Sequence, residues 1–278
     1  MRRSTTSVGT ERPLLGLALL AELILATALL SRPAAVPPAP PAAAPASITT
    51  PSAVSRTMTL PDGRTAEFIA LGGEHAAPLL TRIAAEIGDA AEAVTAFWGA
   101  DWRRDIVIVV AGSDAQFRGL AGGRSDIAAT TTGERIMFAP GAVAMSDAAL
   151  RIVLRHELFH YAARADTAAD APLWLTEGVA DFVARPLTPP PAAEQAAALA
   201  ELPTDADLNS PGAARSLAYD RAWWFSRFVA DRYGTAALRA LYVRACGFGH
   251  PDVETAVHDT LGADLDEVLT GWRRWLTG

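Results

Sequence analysis

Apolar and polar positions change their spacing several times along the chain, and each change marks an element. From Leu14 to Leu30 the residues are apolar apart from Glu22, a run of 17 that follows Arg2, Arg3 and Arg12. From Pro33 to about Pro51 almost every residue is Pro, Ala, Ser or Thr, a composition that favours extended backbone over a packed core. The globular pattern begins at Met58. Leu60 to Gly63 (LPDG) predicts a turn, Ala66 to Leu71 a short strand and Ala77 to Phe97 an amphipathic helix. Asp105 to Ala111 (DIVIVVA) is a β-branched apolar run that predicts a buried strand. Ile127–Thr131 and Arg135–Phe138 predict two further strands joined through Thr132, Gly133 and Glu134. Beyond Ser146 the pattern is mainly helical. The expected fold is therefore α+β, with a small N-terminal sheet, including an edge strand, packed on a mainly helical C-terminal half.

These shifts divide the chain into a basic leader (1–12), an apolar segment (13–31), a Pro/Ala-rich linker (32–57) and one folded domain (58–278). The apolar run is longer than most signal-peptide cores and shorter than the roughly 20 residues of a comfortable membrane span, so an anchor and a signal sequence both fit. Ala26-Thr27-Ala28 could be a cleavage site, but Leu29 and Leu30 carry the apolar run past it, which favours an anchor. Arginines ahead of the run place the N-terminus in the cytoplasm and the rest outside the membrane.

Composition narrows the chemistry. The net charge of −7 and the lack of any like-charge block remove the electrostatic footprint of a nucleic-acid binder. A single cysteine, Cys246, cannot form an intrachain disulfide or a cysteine-based zinc site, so any metal must rest on His and carboxylates.

That requirement meets His156-Glu157-Leu158-Phe159-His160. Ser146 and Asp147 can cap a helix that runs to about Ala163 without internal Gly or Pro. Residues four apart on it are turned by about 40° and rise about 6 Å, so both imidazoles can reach one ion. Glu157 is turned about 100° from His156, close enough to reach a water beside that ion without replacing it. Leu150, Leu154, Leu158 and Tyr161 form the stripe that packs the helix, leaving the histidines on another face.

A catalytic zinc site has three protein ligands and one open position. Glu177 can supply the third if Thr176 caps a second helix, and Asp181, four residues on, then shares its face and can orient an imidazole N–H. The other candidate, Asp166, would need a Gly where Ala163 stands and a methionine downstream, but the last methionine is Met145. Glu177 is therefore the expected ligand and Zn²⁺ the expected cofactor.

HELFH followed by WLTEGVADF (Trp174 to Phe182) resembles the gluzincin metallopeptidases, and most of all the peptidase MA-like family of exported bacterial proteins, across Met58 to Gly278. The resemblance implies a zincin-like fold, zinc on His156, His160 and Glu177, Glu157 as the general base, and a peptide or protein substrate. It also places a tyrosine at the start of a later helix, where Tyr219 would stabilise the oxyanion; a core tyrosine with a satisfied hydroxyl fits that position equally well. His250 and His258 fit surface positions better than that role. Ala128 to Thr131 could pair with an extended peptide as an edge strand. Trp223 and Trp224, adjacent on one helix, cannot share a face, so at least one is expected in the core. The activity implied is peptide-bond hydrolysis outside the cytoplasmic membrane. The alternatives are a non-catalytic extracytoplasmic binding module of the same fold, against which the intact Glu157 argues, and a metal-free helical scaffold.

Overall fold

A computed structural model describes residues 54–122 and 127–278. The basic leader, the apolar run and most of the Pro/Ala-rich linker lie outside them; among the described residues no helix is long and apolar enough to cross a membrane.

The β-branched run forms β3 (Asp105–Val110) at the centre of a five-stranded sheet. On one side it pairs in parallel with β2 (Thr65–Ala70), and β1 (Val54–Thr59) completes that side antiparallel to β2. On the other side β3 pairs in parallel with β5 (Ile136–Phe138), and β4 (Ala129–Thr131) closes the sheet antiparallel to β5. β3 is continuously apolar because both its faces are covered: Ile106, Ile108 and Val110 join the main core, while Val109 packs with Met137 under Phe117 of α2 (Asp114–Ala121).

Three sequence boundaries move. Among the described residues folded structure already begins ahead of Met58, because β1 uses the last residues of the linker stretch; Ser55, Arg56 and Thr57 are exposed on this edge strand and carry no apolar signal. The hairpin strands are shorter than expected, since Thr132 N–H donates to the Arg135 carbonyl and closes the loop before Arg135 can join β5. The second metal-site helix, treated below, begins earlier than its expected cap.

On the core face of the sheet lie α1 (Ala77–Trp98) and α3 (Asp147–Ala163). Ser146 caps α3 by accepting from Ala149 N–H. The expected stripe of Leu150, Leu154, Leu158 and Tyr161 is buried, and the Tyr161 hydroxyl donates to the Asp105 carbonyl at 2.7 Å, fastening α3 to β3. Arg82 of α1 donates to Asp147 and to the carbonyls of Val143 and Met145, and Arg151 pairs with Glu86 through two 2.8 Å bonds. These ties fix the start and middle of α3 before the histidines.

The helical half continues with α4 (Leu173–Ala184), α5 (Ala193–Leu199), α6 (Asp205–Asn209), α7 (Ala213–Tyr233), α8 (Thr235–Cys246), α9 (Val253–Leu261) and α10 (Leu265–Thr277). Trp223 and Trp224 of α7 are both buried, with Arg227 over their rings. α4 crosses α7 closely at Gly178, where a Cβ would stand 2.5 Å from the Ala222 carbonyl oxygen and 2.8 Å from Ser226 Oγ. Gly178→Ala is expected to cost about 1–3 kcal/mol of stability by overpacking, read as a lowered denaturant midpoint at unchanged slope. An unshifted midpoint would contradict this close approach.

Candidate active site

α3 and α4 are joined by a short 3-10 turn (Arg164–Asp166) and a loop, which bring them side by side. α4 starts at Leu173, directly after Pro172, and not at a Thr176 cap. Trp174 and Leu175 are buried, so their packing adds a turn ahead of the expected start. Inside that turn the Thr176 hydroxyl donates back to the Leu173 carbonyl. Glu177 therefore stands in the second turn, but Asp181 still lies one turn further along the same face.

The result is a tight convergence. His156 Nε2 is 3.1 Å from His160 Nε2 and 3.1 Å from Glu177 Oε2, and His160 Nε2 is 3.6 Å from Glu177 Oε2. His156 Nδ1 donates to Asp181 Oδ1 at 2.9 Å, which fixes the ring's orientation and aims Nε2 at His160 and Glu177. Asp166 is exposed and belongs to no such cluster.

Three ligand atoms converging at this spacing can hold one cation between them. A tetrahedral zinc with ligands at about 2.0–2.1 Å separates neighbouring ligand atoms by about 3.3–3.4 Å, so the observed triangle matches one face of that tetrahedron. Two imidazoles and a carboxylate are also a donor set suited to zinc. The residues present fit the metal. Burial works against a charged His156, but Asp181 and Glu177 outweigh it and hold the imidazole well above its ordinary pKa. Burial would raise Glu177, yet His160 and His156 pull it far below the usual carboxylate range.

Glu157 is buried yet lines the cleft, and its Oε2 accepts from Thr131 Oγ1 at 2.7 Å. Tyr219, in the second turn of α7, lines the same cleft, with its ring centroid 6.2 Å from that of His156. Burial, with Glu177 and Asp181 nearby, pushes the phenol well above its ordinary pKa, so it keeps its proton. The cleft has a volume of about 440 Å³. Ile127–Thr131, including edge strand β4, forms one wall, and Met145, Ile152 and Val153 give that side an apolar floor.

Three participants escape sequence reasoning. Arg185 sits 2.5 Å from Asp181 Oδ2 and 2.7 Å from Asp220 Oδ1, all three side chains being nearly buried. Its spacing from Asp181 was a readable signal; that of Asp220, on α7, was not. Thr131 gave none. His250 and His258 stand away from the cleft, the first donating from Nδ1 to the Pro251 carbonyl and the second largely exposed beside Asp264.

A family model described as the eCIS core domain matches residues 102–168, a segment that contains HELFH and ends before Glu177. No curated protein matches the chain. Among solved structures the chain is similar to an M1 zinc metallopeptidase mutant from Deinococcus radiodurans, at 18% identity over 81% of this chain and 52% of that one, with a TM-score of 0.47. A two-domain M1 zinc metallopeptidase mutant bound to L-tryptophan gives 18%, 82%, 52% and 0.48 in the same order. Legionella pneumophila aminopeptidase A in complex with aspartic acid gives 16%, 80%, 28% and 0.47. The chain spans about half the length of these structures or less.

Proposed function

We propose that this chain is a zinc-dependent hydrolase of peptide bonds, working outside the cytoplasmic membrane and held there by its N-terminal apolar segment. The observation that carries the activity is the triangle of ligand atoms from His156, His160 and Glu177, set beside a separately anchored Glu157 that lines the same cleft. The location rests on the Arg-led apolar run and the Pro/Ala-rich stretch after it.

Zinc held by the three ligands would supply Lewis acidity and make a water acidic enough to lose a proton near neutral pH. The chain's own residues do the rest. Glu157 takes a proton from water and returns it to the departing amine, a shuttle suited to a carboxylate that touches the cleft but ligates nothing. Asp181 holds His156 in the tautomer that leaves Nε2 free. Tyr219, kept protonated, offers an O–H to the oxygen on which negative charge gathers. The open side of β4 offers backbone groups to an extended peptide, and the apolar floor beside it takes a side chain.

The purified chain is expected to bind about one zinc, to hydrolyse members of a mixed peptide library, and to lose that activity to 1,10-phenanthroline and regain it with added zinc. Free zinc at 100 times its dissociation constant should stabilise the fold by about 2.7 kcal/mol, visible as a higher melting temperature. Zinc bound without hydrolysis of any peptide would favour the non-catalytic binding module. No zinc uptake and no thermal response would overturn the metal site itself.

A further inference from the structure

Thr131 is the last residue of β4, paired across the hairpin with Ile136 and held by the sheet on that side. On its other side its hydroxyl reaches α3, lying 2.7 Å from Glu157 Oε2 and 2.8 Å from the Glu157 backbone carbonyl oxygen. A hydroxyl carries one proton, and both neighbours are acceptors, so Thr131 must be the donor and shares that proton between the two ends of a single residue. The carbonyl contact fixes the hydroxyl relative to the helix backbone; the carboxylate contact fixes the side chain relative to the hydroxyl. A glutamate side chain that lines a cleft has more than one rotamer to choose from unless a contact selects one.

We propose that Thr131 is a positioning residue for Glu157: it holds the carboxylate in one orientation and ties it to the strand along which substrate would lie. This rests on the role given to Glu157 above. The consequence is mechanical. Edge strand and proton carrier move as one, so a peptide that settles on β4 is brought to a carboxylate already in line. Misplacing a reacting group by about 1 Å can cost about a hundredfold in rate, which sets the scale of what the contact protects.

Two substitutions separate positioning from mere structure. Thr131→Val keeps the shape and removes the donor; Thr131→Ser keeps the donor and removes the methyl. In the zinc-loaded chain, Thr131→Val is expected to lower kcat about 10- to 100-fold with KM within about twofold and zinc content unchanged, while Thr131→Ser stays within about threefold of the native kcat. Crystal structures of both variants without metal supply a readout independent of turnover: Glu157 should occupy more than one rotamer in the Val variant and a single one in the Ser variant. Unchanged kcat in Thr131→Val, equal losses in both variants, a loss in KM alone, or a Glu157 that stays in place without the hydroxyl would each overturn the proposal. If the native chain hydrolyses nothing, the peptidase reading fails by itself, and the rotamers of Glu157 still decide whether Thr131 positions it.

Discussion

Glu157→Gln is expected to lower peptide hydrolysis by about 10²- to 10⁴-fold while zinc content stays near one per chain. The magnitude is that of a general acid–base catalyst removed from an otherwise intact site. The substitution isolates the proton transfer because so little else changes. The Gln amide has the shape of the carboxylate, and its carbonyl oxygen can accept from Thr131 Oγ1 as Glu157 Oε2 does at 2.7 Å. None of the three converging donor atoms belongs to Glu157. Rate should therefore fall without loss of metal, and kcat should carry the loss more than KM. Hydrolysis within a few-fold of native would remove Glu157 from the mechanism and leave the proton to another group.

Arg185→Leu is expected to be the most destabilising single change near the site, at about 3–5 kcal/mol. The guanidinium lies between Asp181 and Asp220 and over the Trp223 ring at 4.9 Å. Removing it leaves two buried carboxylates facing each other without a counter-charge, the situation in which a broken buried ion pair costs most. Burial already pushes Asp220 above its ordinary pKa even with Arg185 present, so without the arginine a proton must be taken up or the helices must part. Either response loosens Asp181 from His156, and zinc affinity should fall about 10- to 100-fold. Denaturation followed by far-ultraviolet circular dichroism, and zinc competition against a chromogenic chelator, check the two effects separately. A loss under about 1 kcal/mol with native zinc affinity would show that the triad contributes no net support.

The parts legible in sequence are those written as local patterns. The apolar run of β3, the Ser146 cap and the leucine stripe of α3 are each set by a few neighbouring residues, and their spacing carries the information. The pairing of His156 with His160 is likewise a property of one helical turn. Where the sequence misleads, the deciding contact comes from elsewhere in the chain. Thr176 looks like a cap until Trp174 and Leu175 find a core and wind the helix one turn earlier. β1 looks like linker because its outward residues face solvent, and only its partner β2 makes it a strand. Thr131 is 26 positions from Glu157 and Asp220 is 35 from Arg185, so no local pattern could join them.

Glu177 and Asp181 stand one turn apart on α4 and Arg185, at the same interval, caps its end, so the proposed metal ligand, imidazole holder and charge balance follow one another in a single row. Such a row depends on the number of residues between its members as well as on the members themselves. One residue inserted or deleted between Glu177 and Arg185 would swing the members on either side of it about 100° apart. Along this stretch length is thus constrained in its own right, beside the close packing that already fixes spacers such as Gly178.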